Sequence, residues 1–200
     1  LLIPDDLLRK YNGGSGLGVY LLFKYGAPWS APLSPENPLI FMNGPFQGTG
    51  IPTSGRHQIL ARSPLTDAFG ESDCGGTFGY DLKRAGYDGL LFLGKASSPV
   101  YAAVTYGRIE IRDGAFLWGK DTFETEEALT GLEGKSSAVA CIGPAGEKEV
   151  LLANIMHDGR NARAAGRGGM GAVMGSKNLK AVVAAGDGRA VMADEKAVRE

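Results

Sequence analysis

The sequence is poor in the residues that build self-contained metal sites. It has two cysteines, Cys74 and Cys141, and two histidines, His57 and His157, in 200 residues. With no Cys-x-x-Cys pair, a disulfide scaffold and any zinc or iron–sulfur site made within this segment are excluded. The histidines stand isolated in sequence, with no neighbour that completes a catalytic triad or a metal set, so a structural role is expected for both. Charge of one sign is lacking too: 21 basic against 22 acidic side chains leave a net charge of -1. A nucleic-acid module would carry a marked basic excess, so no nucleic-acid partner is expected. No apolar run approaches the roughly 18 residues that span a bilayer. Leu1 to Leu8 has neither the basic start nor the apolar stretch of a signal peptide, and no membrane association is expected. There is no initiator methionine, and Ala193 to Glu200 reads as the first turns of an interrupted helix. The expectation is a piece of a longer protein, with one domain over 1–190 and a following helical domain beginning at 191–200.

What the sequence has in excess is glycine, 31 of 200 residues, against an ordinary share of about 7%. With 44% hydrophobic residues and no Gly-X-Y period, this is a folded domain rather than a linker. Its glycines serve tight turns or loops that bring backbone close to something. Short apolar runs predict strands at Leu39–Met42, Gln58–Ala61, Leu90–Leu93, Val100–Val104, Ile109–Ile111, Ala138–Ile142, Val150–Ile155 and Ala181–Ala184. Helical pattern appears at Leu17–Lys24, Tyr80–Ala85, Asp121–Leu132 and Ala172–Asn178. In the third, Asp121 is an N-cap with Glu124 three residues on, and Phe123, Leu129 and Leu132 are its apolar positions. Without strict strand–helix alternation, the fold class is α+β.

One pattern occurs twice. Leu39 to Pro45 and Val139 to Pro144 are each a strand run into Gly-Pro, followed by a second apolar run and a Gly-Gly element, Gly75-Gly76 or Gly168-Gly169. A short helix with lysine (Leu82-Lys83, Leu179-Lys180), a last apolar run and a glycine (Gly94, Gly186) complete each copy. Duplicated units of strand, Gly-Gly loop, helix and strand, in mainly antiparallel sheets, are predicted. Glycines ahead of a helix let backbone N–H groups converge on an anion, and arginine suits phosphate. Arg56 accompanies the first loop, Arg163 and Arg167 the second. Two phosphates side by side repel, and Asp73 just before the first loop offers oxygen to a cation such as Mg²⁺. The residues therefore read as a cradle for a ligand with two phosphates, or for two phosphorylated ligands. Gly166 to Gly171 is no dinucleotide loop, because no acidic residue follows a strand at the required distance, and Gly175-Ser176-Lys177 reverses the end of a Walker A. Lys83, Arg84, Lys177 and Lys180 are expected as helix-face charges, Cys74 as a small packing residue, Cys141 as core, and Glu124, Glu126 and Glu127 as a solvated face.

The blocks Ser54-Gly55-Arg56, Ser63-Pro64-Leu65-Thr66, Gly75 to Asp88 and Ala164 to Val182 resemble the N-terminal domain of the aldehyde ferredoxin oxidoreductases. Gly13 to Gly18 and Ile142 to Glu147 are similar as well, so the resemblance covers nearly the whole chain. It implies a saddle-like base beneath a tungstopterin with two pterins per metal, their phosphates joined through Mg²⁺. It further implies a [4Fe-4S] cluster whose ligands lie outside this segment, in downstream domains of the same chain. The implied activity is oxidation of aldehydes to carboxylic acids, with ferredoxin as partner, in the cytoplasm; the segment alone is expected to be inactive. By the same resemblance, Arg56, Asp73, Gly75, Gly76, Arg163, Ala164, Ala165, Gly166, Arg167, Gly168 and Gly169 bind the cofactor. Asp73 and Ala164 give backbone carbonyls to the magnesium, and no catalytic residue falls in the segment. Asp73 stands where the family commonly has asparagine, a change that a carbonyl ligand survives, and Ser15 replaces an often basic residue. A related tungstopterin reductase of aromatic thioesters, or a non-catalytic cofactor-binding module, is the alternative.

Overall fold

A computed structural model describes residues 1–27 and 29–199. Two helices, α1 (Asp5–Tyr11) and α2 (Gly14–Tyr25), lead into β1 (Leu39–Asn43), β2 (His57–Arg62), β3 (Phe69–Cys74), α3 (Phe78–Arg84) and β4 (Gly89–Phe92). The hairpin β5 (Val100–Thr105) and β6 (Arg108–Asp113) and helix α4 (Thr122–Glu133) follow. The chain then forms β7 (Ala138–Cys141), α5 (Pro144–Glu147), β8 (Ile155–His157), β9 (Arg163–Ala165), α6 (Met170–Ser176), β10 (Leu179–Ala185) and α7 (Glu195–Arg199). Glu200, the last residue of the expected terminal helix, lies outside the described residues.

The strands make two sheets, ordered β3-β2-β1-β4 and β6-β5-β10-β7-β8-β9. All pairs are antiparallel except β10 with β5. The stretch β9-β8-β7-β10 has the same order and pairing directions as β3-β2-β1-β4. In each, a short helix, α6 or α3, joins the third strand to the fourth. The fold is α+β, as expected.

Alternation along the central strands explains the layering. Leu39 and Phe41 of β1 and Ala138 and Ala140 of β7 share one core with Phe78 of α3 and Met170 of α6. Ile40 on β1 turns the other way, onto Leu17 and Leu21 of α2. Val139 on β7 likewise meets Leu129 of α4. The order through the molecule is thus α2, first sheet, α3 with α6, second sheet, α4. Because α6 is sandwiched, all seven of its residues are buried. Its glycines allow this: a Cβ on Gly175 would lie 1.9 Å from the Gly146 carbonyl oxygen, and one on Gly171 2.4 Å from that of Asn154.

Asp121 caps α4 in a complete capping box with Glu124, as the sequence predicts. Phe123 and Leu132, however, are 52% and 61% exposed, and Thr125 joins Leu129 on the buried face. The expected strand over Val150–Ile155 begins only at Ile155; Leu151 and Leu152 sit exposed in a turn. Leu179 and Lys180 belong to β10 and not to a helix. Lys180 is fully buried, its Nζ paired with Glu147 and donating to the Lys120 carbonyl at 2.8 Å. Lys177 is buried as well, and its Nζ donates to the carbonyls of Gly94 and Pro35. Burial pushes Lys177 down to about 8. These two lysines fasten backbone and are not surface charges. Among the described residues, no helix is long and apolar enough to cross a membrane.

Candidate functional site

The outer strands β3 and β9 of the two sheets contact each other, and the second glycine loop packs along this seam. The Arg167 backbone N–H donates to Ser72 Oγ on β3 at 3.0 Å, and Ser63 Oγ donates to the Gly168 carbonyl at 2.8 Å. Ser15, in the opening glycine segment, hydrogen-bonds Glu71 of β3. Two segments far apart in sequence, the start of α2 and the loop after β9, therefore meet on β3.

Around the seam, Arg56 precedes β2, Asp73 lies near the end of β3, Arg163 starts β9 and Arg167 follows it; all four are exposed. The charges of Arg56 and Arg163 favour the Cys74 thiolate, and those of Asp158 and Asp73 oppose it. Asp73 Oδ1 accepts from Gln58 Nε2 at 3.1 Å. Among the described residues, Arg56, Arg163 and Arg167 have no ion-pair partner. Ala164 is half-buried and Ala165 buried.

The loop glycines divide into two kinds. A Cβ on Gly75 would meet nothing within 4 Å, and one on Gly166 nothing nearer than 3.9 Å. At these positions the backbone is open to an incoming group. Gly76, at φ +91°, would instead drive a Cβ to 1.7 Å from Asp158 Oδ2, and Gly169, at φ +72°, to 2.0 Å from the Leu151 carbonyl. Gly168, at φ +67°, faces Met170 Cε at 3.0 Å. These three have packing reasons to be glycine.

Sequence reasoning missed Asp158. Its carboxylate accepts from the Thr77 backbone N–H at 3.1 Å and from Thr77 Oγ1 at 3.1 Å. The anion at the start of α3 is therefore the protein's own carboxylate, where the Gly-Gly loop had been expected to receive a ligand. Asp158 holds φ +58°, and Ala162 in the same loop φ +49°, so the link leading to Arg163 runs through uncommon backbone conformations.

Directly beneath lies a second group that corrects the expectation of isolated histidines. His57 and His157 are both buried, with Nε2 atoms 3.2 Å apart, and Cys74 Sγ is 3.3 Å from His157 Nδ1. The Phe78 ring packs against both imidazoles, centroids 5.3 Å away. Burial pushes His57 down to about 4. Burial, then the neighbouring His57, pushes His157 well below the ordinary histidine value. Burial pushes the Cys74 thiol up to about 12. At neutral pH the imidazoles are uncharged and the thiol keeps its proton. His57 Nδ1 is buried without a partner. No sequence signal pairs the histidines, because only the contact between sheets joins them. Cys141 is core, as expected.

The sequence profile of the aldehyde ferredoxin oxidoreductase N-terminal domain matches residues 2–186. The tungsten-containing aldehyde ferredoxin oxidoreductase of Pyrococcus furiosus is 48% identical over 192 residues, 96% of this chain and 31% of that protein. The aliphatic sulfonate oxidoreductase WOR-like subunit of the same organism is 40% identical over 93% of this chain and 32% of its own length. Among solved structures, the active-site complex BamBC of benzoyl coenzyme A reductase with 1,5-dienoyl-CoA matches with TM-score 0.90 at 38% identity. That match covers 94% of this chain and 29% of the other. The chain thus spans about a third of the length of the proteins it resembles.

Proposed function

The chain belongs to the aldehyde ferredoxin oxidoreductase family as an N-terminal domain, and from that premise we propose that it is the base on which a two-pterin tungsten cofactor rests. The carrying observation is the seam: three exposed guanidinium groups without ion-pair partners among the described residues, beside two glycines open to approach. This donor set fits the proposed ligand. Arg56, Arg163 and Arg167 offer forked donors to phosphate. Open backbone at Gly75 and Gly166 lets a flat ring system come close, while Gly76, Gly168, Gly169 and Ala165 set the loop path. The backbone carbonyls of Asp73 and Ala164, on strands that meet, are the proposed ligands of a bridging Mg²⁺. The like strand order in both sheets supports reading the two halves as a duplication, with the pseudo-symmetric seam as a saddle.

When bound, the tungsten–pterin group supplies two-electron chemistry at the aldehyde carbonyl. The domain's own work is positioning and charge neutralisation, the usual protein contribution around a cofactor. For the whole protein the proposed activity is aldehyde oxidation to the carboxylic acid, with a [4Fe-4S] cluster held by downstream domains and ferredoxin as electron acceptor. The domain would run over 1–190, with the next helical domain starting at 191–200. A cytoplasmic setting is part of this reading, and the free thiols Cys74 and Cys141 suit a reducing compartment. The structural match to BamBC favours one second reading, a reductase of aromatic thioesters.

The test is elemental analysis of the anaerobically purified full-length protein. About one tungsten per chain is expected, falling several-fold in Arg56→Ala and Arg167→Ala together with pterin fluorescence. Unchanged tungsten and pterin in both variants would sink the cradle. Turnover of an aldehyde with ferredoxin, against turnover of benzoyl-CoA, separates the two activities, and neither activity would leave a binding module.

A further inference from the structure

We infer that His57, Cys74 and His157 form a buried binding site for copper(I), a monovalent thiophilic cation, beneath the cradle. The three side chains come from three strands, β2, β3 and β8, and all are essentially inaccessible. One ligand atom from each lies within 4.8 Å of the others. The separations of 3.2 Å between the imidazoles and 3.3 Å between thiol and imidazole approach those of neighbouring ligands around one ion. With bonds of about 2.0 Å to nitrogen and about 2.3 Å to sulfur, such ligands stand roughly 3.3–3.8 Å apart. His157 faces its two partners with different ring nitrogens, so a bound ion takes one of them, and the third ligand closes by a swing of roughly 1 Å.

Charge selects the ion. Burying net charge in an apolar pocket is costly. Two neutral imidazoles, one thiolate and one monovalent cation sum to zero, whereas a divalent ion would leave one positive charge. Soft thiolate ligation favours copper(I), and no fourth carboxylate, histidine or cysteine joins the group among the described residues. Binding breaks the Cys74 S–H bond, forms an S–Cu bond and releases one proton to solvent, with no electron transferred.

The experiment supplies copper(I) anaerobically as a chelate to the full-length protein and counts copper per chain after desalting. Wild type is expected to hold one more equivalent than Cys74→Ala or His57→Phe, and affinity at this site to drop more than about tenfold in either variant. X-ray absorption on that equivalent should show one sulfur and two imidazole nitrogens. Equal copper in wild type and in both variants, with circular dichroism showing that the variants are folded, would overturn the proposal. So would a site that takes zinc in preference to copper(I), or one whose absorption spectrum lacks sulfur.

Discussion

At Gly75 an added methyl group meets open space, whereas one residue on, at Gly76, it would strike the Asp158 carboxylate from a backbone at φ +91°. The pair therefore separates ligand approach from packing within a single loop. Gly76→Ala adds the cost of a left-handed alanine, roughly 1–2 kcal/mol, and displaces the Asp158 hydrogen bonds to Thr77. Amides of α3 should then exchange hydrogen clearly faster by mass spectrometry. Gly75→Ala should leave that exchange unchanged, within about 0.5 kcal/mol, yet lower tungsten content if the cofactor approaches there. Loss of α3 protection in both variants would show that the two glycines serve packing alike. Arg56, Arg163 and Arg167 stood out in the sequence by their places beside the glycines, and the structure leaves all three exposed around the seam. Asp158 did not stand out, because an aspartate that caps a helix across 81 positions of sequence leaves no local pattern.

Among the elements, those with strong local signals were legible and those made by tertiary pairing were not. Asp121 and Glu124 announce α4 because a capping box is a contact within one turn. Strand β3, Phe-Gly-Glu-Ser-Asp-Cys, carries too few apolar residues to read as a strand, and β9 is three residues long. Both are outer strands fixed by their neighbours' hydrogen bonds, so the two strands that form the seam were the ones missed. Lys180 was misread because lysine so seldom lies in a core strand; here Glu147 meets it, and that carboxylate also accepts from the Gly119 backbone N–H at 2.9 Å. Lys180→Met leaves Glu147 buried without its cation and should destabilise by about 3–5 kcal/mol. Lys180→Met with Glu147→Gln should recover much of that loss. Urea unfolding of the full-length protein, with exchange at β10 as the local readout, checks both, and equal stability of wild type and Lys180→Met would refute the ion pair's role. Asp121→Ala should cost about 1 kcal/mol, seen as faster exchange at the Glu124 amide.

For the molecule as a whole, each half of the sequence carries the same succession of Gly-Pro, Gly-Gly and closing glycine, and the order β3-β2-β1-β4 recurs as β9-β8-β7-β10 within the second sheet; a duplication is the proposed reading of both. How the halves meet was not legible, since the His57–His157 contact spans 100 residues and no periodicity encodes it. That contact gives the joined halves a pH dependence whose sign follows from burial. In the metal-free protein His57 is held down at about 4, against 6.5 for an ordinary histidine, with Asp73 opposing burial only in part. Between those values the unfolded chain takes up a proton that the folded one refuses. Stability is therefore fully present above about pH 6.5 and is lost as pH falls towards 4, by about 1.4 kcal/mol per pH unit, or about 3 kcal/mol in all. His157, also pushed down by burial and by the neighbouring His57, adds a loss of the same sign. The urea midpoint of the metal-free protein should thus fall between pH 7 and pH 5. In His57→Gln the fall should be shallower by about one proton's worth of slope, a comparison that cancels the carboxylates common to both proteins. Parallel pH profiles for wild type and His57→Gln would mean that the histidine charges freely in the folded state, and that the seam between the halves opens to water.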